Sequence, residues 1–223
     1  MTIYTDVGNG DEHQTMCVRF GPQPRNDVNV WNDKAQGGES MPRLTPITER
    51  SQVSPEGVAE FDLVVGSRGR INAPQSMIMY SPKIGSLSTA LNDQLRANMS
   101  KHDYEIASLV ASSEFHIPYV WSAHSVLALD VGVSPEVIEA IRSGGDLSVC
   151  SDRERIIIEV GRQLVTDRAL SDETFTSARA ELGEQLLIET LMTIGYYIMM
   201  GMVLNGCAME QANVGVAPEL RCR

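Results

Sequence analysis

Thiols and imidazoles are scarce in this chain, and their spacing removes whole classes of chemistry. Four cysteines occur in 223 residues, at positions 17, 150, 207 and 222, and none is part of a Cys-x-x-Cys pair. That excludes a zinc knuckle and a dithiol redox motif. Four histidines, at 13, 102, 116 and 124, include no i,i+4 pair of the kind a helical metal site uses, so no metal is expected. Positive charge is also short. Against 29 Asp and Glu stand 18 Lys and Arg, a formal net charge of -11, which argues against nucleic acid as a partner. Nor is there an unbroken apolar run of membrane-spanning length. The longest candidate, 186–204, is interrupted by Glu189, Thr190, Thr193 and Gly195 and reads as a buried core helix, so no membrane partner is expected. No basic-then-apolar N-terminal stretch precedes a small-residue cleavage site, and the cytoplasm is the expected compartment.

What is present is enough for one folded domain: 43% of residues are hydrophobic, and the 21% that are charged are well mixed. Residues 1–40 are rich in Asn, Asp, Gly and Gln and show no lasting period. They read as a peripheral extension, with at most a short strand over 15–20, ahead of a domain spanning 41–223. From Ser54 the punctuation is that of helices. Ser54-Pro55-Glu56 starts one that should run to about Val65, and 66–74 reads as a loop carrying Arg68 and Arg70. Ser81-Pro82 opens a second helix, 103–115 forms a third, and Pro118 starts a fourth that ends near Gly132. Ser134-Pro135-Glu136 opens a fifth, and Ser151-Asp152-Arg153-Glu154 is a capping box. Ser171-Asp172-Glu173 caps a helix to about Leu182, Gly183 stops it, and a last apolar helix runs to about Gly206. The expected class is an all-α helical bundle.

Two helices joined by a tight connection carry the informative residues. Glu105 lies near the start of one, and Tyr119, Trp121 and His124 lie on the next. Antiparallel packing brings Glu105 level with His124, where a carboxylate can orient an imidazole for proton transfer. Trp121 and His124 share a face at i,i+3, while Tyr119 sits about 140° round the axis and can flank the site. Spacing alone leaves open a plainer alternative, in which His124 is a satisfied core histidine, Trp121 is packing and Glu105 favours a helix N-terminus. Tyr196 and Tyr197 read as packing in the last helix. Met192, Met199, Met200, Met202 and Met209 read as adaptable core or interface residues.

The stretch from Glu105 to Tyr119-Val120-Trp121-Ser122-Ala123-His124 resembles the core of the carboxymuconolactone decarboxylase family, in which a Glu precedes Tyr-x-Trp-x-x-His. Met41-Pro42-Arg43-Leu44, Ser67-Arg68-Gly69-Arg70, Ser81-Pro82, Thr174-Phe175 and Ile194-Gly195-Tyr196-Tyr197 resemble further stretches of such proteins, in the same order, over about 41–210. The resemblance implies the all-helical fold shared with alkylhydroperoxidase D and a trimeric or hexameric homo-oligomer. It also implies a cofactor-independent carboxy-lyase acting on a small carboxylated lactone or cyclic acid. His124 would be the proton donor, Glu105 its orienting group and Tyr119 a hydrogen-bond donor. Trp121 would wall the pocket, and Arg68 or Arg70 would pair with a substrate carboxylate. The peroxidase branch carries Cys-x-x-Cys where this chain has Ile117 and Val120, which argues against thiol peroxidase chemistry. A biosynthetic dehydratase, isomerase or cyclase acting on an aromatic or polyketide-like compound, and a non-catalytic small-molecule-binding oligomer, remain as alternatives.

Overall fold

The computed structural model describes residues 42–209 and Leu220. The extension expected over 1–40, including its short strand, lies outside the described residues. Among those described, the regular elements are all helical: α1 (Val58–Arg68), α2 (Ala73–Ile78), α3 (Pro82–Asn98), α4 (Lys101–Glu114), α5 (Pro118–Asp130), α6 (Pro135–Ser143), α7 (Asp152–Thr166) and α8 (Asp172–Gly206). Short 3-10 turns at Arg50–Gln52 and Pro55–Gly57 lead into α1.

Local chemistry sets most of the boundaries. Ser100, Ser134, Ser151 and Ser171 each accept a backbone N–H of the first turn, and Ser151 with Glu154 forms the full capping box. Ser54 does not cap. Its side chain makes no such bond, and the following turn is 3-10 before α1 begins at Val58. Helix α1 also outruns the expected stop by three residues, ending at Gly69 in the left-handed conformation (φ 74). The expected loop is shortened again by α2, whose N-cap Asn72 accepts from the Gln75 amide with Pro74 in the first turn. At Gly183 the backbone leaves helical geometry (φ 75, ψ 169), so α8 is two helices joined at a kink, as the glycine anticipates.

Helix α4 is the axis of the bundle. From Asp103 to Ser113 every residue is buried, with α5, α6, α7 and α8 packed around it. A helix covered on all sides needs small side chains for close approach, and α4 supplies Ala107, Ser108, Ala111 and Ser112. Its serines lose no hydrogen bonding by burial: Ser108 donates to the Tyr104 carbonyl (2.7 Å), Ser112 to Leu109 (2.9 Å) and Ser113 to Ile141 (3.1 Å). Asp103 is buried but paired, receiving the Arg153 guanidinium at 2.8 Å from α7. Gly161 lets α7 approach, since a Cβ there would lie 2.1 Å from Val110 Cγ1. Ile106, Leu109, Val110, Ile157 and Ile158 are wholly buried, each worth roughly 1.5–3 kcal/mol of apolar transfer.

Helix α8 is long and apolar enough to cross a membrane by length and composition, with a mean hydropathy of 1.6 over its most apolar window. One face of it is core, through Leu187, Ile194, Tyr197, Met200 and Leu204. Its other face exposes Ile188, Met192, Met199 and Met202, which fall within a sector of about 80° at helical spacing.

Candidate active site

The α4–α5 connection is a tight reversal. Phe115 ends α4, His116 takes the left-handed conformation (φ 55), and the Ile117 amide closes back on the Ser112 carbonyl at 2.8 Å. Asn205 of α8 clamps this turn by donating to the His116 carbonyl (3.0 Å). The reversal lays α5 antiparallel on α4 and brings Glu105 and His124 together across the interface.

His124 Nδ1 and Glu105 Oε2 are 2.6 Å apart. Both residues are nearly buried, with 10% of the His124 side chain and 4% of the Glu105 side chain exposed. No other hydrogen bond involves the imidazole, so Nε2 is left without a protein partner among the described residues. A carboxylate on Nδ1 fixes the neutral ring as the Nδ1–H tautomer and leaves Nε2 as the nitrogen that can take or give a proton.

Around this pair stand rings that sequence reading set aside as packing. Tyr197 of α8 meets His124 edge-on, with centroids 4.8 Å apart and planes at 76°, and it meets Tyr196 and Tyr104 in similar T-shaped contacts. Tyr196 and Tyr197 do pack, as expected, but Tyr197 packs on the imidazole itself. The Tyr104 and Tyr197 hydroxyls are 2.7 Å apart, and the Tyr104 hydroxyl donates in turn to Asn92 Oδ1 of α3. The Arg96 guanidinium lies 5.1 Å above the Tyr104 ring. Burial raises the Tyr197 hydroxyl well above its usual range and pushes Tyr104 up to about 12, so both stay neutral. A usable signal for Tyr104 was its place beside Glu105. For Tyr197 and Asn92 nothing in the sequence pointed to the site, because their contacts join α3, α4 and α8 across 93 and 12 positions.

The raised Tyr104 makes a pH prediction. A phenol whose pKa is about 10 unfolded and about 12 folded contributes stability that is fully present below pH 10 and is lost as pH rises through 12. Two units correspond to roughly 3 kcal/mol, and Tyr197 acts in the same direction. Urea midpoints should therefore fall steeply between pH 10 and 12, and Tyr104→Phe should flatten that fall. An unchanged slope in the variant would refute the assignment.

The other expected site residues are placed less centrally. Trp121 is wholly buried, with no exposed surface through which to meet a ligand. Tyr119 is half-buried. Burial raises its hydroxyl, and the Arg70 charge opposes that shift. Arg70 is exposed. Arg68, at the end of α1, is engaged elsewhere: its Nη2 lies 2.6 Å from Asp93 Oδ1, though without hydrogen-bond alignment. Burial raises the Tyr196 hydroxyl, and the Arg68 charge opposes that shift. Neither arginine contacts His124 or Glu105 directly. Ile117 and Val120, at the positions where the peroxidase branch carries thiols, are buried apolar residues. Cys150 is buried with its thiol raised by desolvation, in another part of the bundle. No group of three metal-ligating side chains occurs among the described residues.

The chain matches no protein-family model and no curated protein. Solved structures do resemble it. The debrominase Bmp8, as a cysteine-to-alanine variant holding 2,3,4-tribromopyrrole, aligns with a TM-score of 0.62 at 16% identity, over 78% of this chain and 95% of that one. An uncharacterized peroxidase-related protein from Silicibacter sp. TM1040 aligns with a TM-score of 0.60 at 16% identity, over 79% and 96%. A protein of unknown function from Agrobacterium tumefaciens, named for the antioxidant defence protein AhpD, aligns at 0.56 and 15% identity over 60% and 94%. At these identities the likeness establishes fold alone, and on that ground this chain has the all-helical AhpD-like fold.

Proposed function

We propose that the chain is an acid–base enzyme, a cofactor-independent decarboxylase or related lyase acting on a small carboxylated lactone or cyclic acid. One observation carries the reading: His124 is held at Nδ1 by Glu105 at 2.6 Å while Nε2 is left for chemistry. In decarboxylation the substrate's C–C bond breaks, carbon dioxide departs, and the bonding pair passes into an enolate-like system. His124 Nε2–H then protonates the carbanionic carbon, and the ring regains its proton from water. The proton-donating form is the imidazolium, which Glu105 stabilises while holding the ring in place. The small exposure of the pair fits a compact substrate in a water-poor site, where charge stabilisation is strong. Carboxylate binding falls to the exposed Arg70, whose charge acts on Tyr119, since Arg68 already faces Asp93.

A second reading is favoured by the rings. Tyr104 and Tyr197 stand beside His124, with Tyr196 packed on Tyr197, and a protein of the same fold holds a brominated pyrrole. An isomerase, dehydratase or cyclase acting on an aromatic compound would use the same proton shuttle. A thiol peroxidase does not fit, because Ile117 and Val120 offer no sulfur.

The test is carbon dioxide release from a panel of carboxylated lactones and aromatic acids, with the parent, His124→Ala and Glu105→Gln compared. Release that collapses in both folded variants supports the lyase. Release untouched by either variant moves the site elsewhere. Silence across the panel, with ring isomerisation or dehydration detected instead, favours the second reading. Tight ligand binding without any turnover favours a binding protein.

Homo-oligomerisation belongs to the same proposal. The apolar stripe of α8 and the exposed Ile84, Leu87 and Leu91 of α3 are surfaces that a second copy would cover. Light scattering on the eluting protein is expected to give a trimer or hexamer. A monomeric mass at micromolar concentration would remove this part.

A further inference from the structure

Helix α3 is built inside out. Its buried face, at helical spacing, is Gly85, Ser88, Thr89, Asn92 and Leu95, while Ile84, Leu87 and Leu91 are exposed. A helix at the edge of a bundle ordinarily does the reverse. The burial is also uncompensated. Thr89 Oγ1 and Ser88 Oγ make no hydrogen bond, and neither does Gln75 Oε1 of α2, although Thr89 and Gln75 are 2% exposed and Ser88 is 9% exposed. Ser88 eases ionisation of the Tyr196 hydroxyl, but without an aligned bond. Polar groups that lose water and gain no partner cost folding free energy, so folded proteins keep few of them.

These three share one place. Helices α2 and α3 meet at Gly85, where a Cβ would fall 2.4 Å from Met79 Cε and 3.0 Å from the Ile78 carbonyl oxygen. Gln75 lies one turn back from Met79 on α2, and Ser88 and Thr89 lie one turn on from Gly85 on α3, so they flank a single helix contact. One turn further, Asn92 accepts the Tyr104 hydroxyl, which is 2.7 Å from that of Tyr197, whose ring centroid is 4.8 Å from that of His124. The polar face of α3 thus runs from α2 to the aromatic side of the dyad. None of its residues carries a formal charge, which suits it to uncharged partners.

We propose that Gln75, Ser88 and Thr89 form a binding wall for the uncharged ring oxygens, carbonyl or hydroxyl, of the substrate that His124 protonates. The Ser88 and Thr89 hydroxyls donate to a ring oxygen, and Gln75 Oε1 accepts from a ring hydroxyl. The wall sets specificity and takes no part in proton transfer, and its assignment to the substrate rests on the acid–base reading of the dyad. Because these atoms are closed to water, a ligand reaches them by displacing α2, a helix of six residues. Groups kept for recognition at the expense of stability have a signature that structural hydroxyls lack: removing them strengthens the fold and weakens binding.

The experiment pairs probes that differ in their ring oxygens: γ-carboxy-γ-butyrolactone against cyclopentanecarboxylate, and dihydroxybenzoate against benzoate. Dissociation constants for the full-length protein come from ligand-observed NMR titration, and stability from urea unfolding without ligand. The parent should prefer the oxygenated member of at least one pair by roughly tenfold, the worth of one hydrogen bond to an otherwise orphaned group. Ser88→Ala/Thr89→Val should bind both members alike and unfold at higher urea than the parent. Thr190→Val is the control. It removes another orphaned buried hydroxyl, on α8 where Asn98 donates to Glu189, about 15 Å along α3 from Ser88. That variant should gain stability and keep the preference. His124→Ala should keep it too, since binding needs no proton transfer. If no protein releases carbon dioxide yet the preference follows the wall, the acid–base reading falls and the binding wall stands. A parent without preference, a preference that survives Ser88→Ala/Thr89→Val, or one that Thr190→Val also abolishes overturns the wall and leaves the dyad untouched. A wall variant with a lowered urea midpoint overturns it as well, because its hydroxyls then hold partners in the fold.

Discussion

Replacing His124 with alanine is expected to lower kcat by roughly two to four orders of magnitude on whichever substrate the parent turns over, the range that a positioned general acid or base supplies. That is about 3–5 kcal/mol of transition-state stabilisation. Glu105→Gln should cost a comparable factor while keeping shape and volume. An amide accepts from one ring tautomer and donates to the other, so it no longer selects Nδ1–H and no longer neutralises the imidazolium. Both losses should fall on kcat more than on KM, because neither side chain is needed to hold the substrate's distal parts. The two should also be far from additive: once His124 is gone, Glu105 has nothing to orient, and the double variant should resemble His124→Ala. Steady-state rates of the four proteins decide this. A histidine-free protein with near-parental kcat would end the acid–base reading.

How far the sequence carried this site depends on the range of each interaction. The capping serines at 100, 134, 151 and 171 act within three residues, and the Glu105–His124 contact follows from two adjacent helices forced antiparallel by a short turn. Such features are written locally. Helix α2 was hidden because Ile71 to Ile78 has too few residues to show a period, and Ser54 misled because a serine before proline can precede a 3-10 turn as readily as an α-helix. The arginines illustrate a different limit. Sequence offered Arg68 and Arg70 as equals on one loop, but the extra turn of α1 sets Arg68 against Asp93 and leaves Arg70 exposed beyond the helix. The tyrosine chain was not legible at all. Helical spacing shows that Tyr196 and Tyr197 belong to an apolar helix, and only the packing of α3, α4 and α8 shows that one of them rests on the imidazole.

That packing depends on a residue one turn beyond Tyr197. Gly201 lies on the same face of α8, and a Cβ built there would fall 2.4 Å from Ile117 Cδ1 and 2.6 Å from Cγ1, with Phe115 at 3.3 Å. Ile117 is wholly buried at the head of α5, so it has little room to yield. Gly201→Ala must then lift α8 away from the α4–α5 turn, at a cost of about 1–3 kcal/mol for the overpacked methyl. The same displacement carries Tyr197 off His124, so activity should fall although no chemical group has been removed. Ile117→Ala alone should also destabilise, by roughly 2–5 kcal/mol, through the cavity it leaves. Combined, the two changes relieve each other, since the new methyl enters the space the isoleucine vacates. Urea unfolding of the four proteins is expected to give a double variant more stable than the sum of the two losses allows, by about 1 kcal/mol or more. Strict additivity would mean that Gly201 and Ile117 do not set the spacing, and that the Tyr197–His124 contact is held from elsewhere.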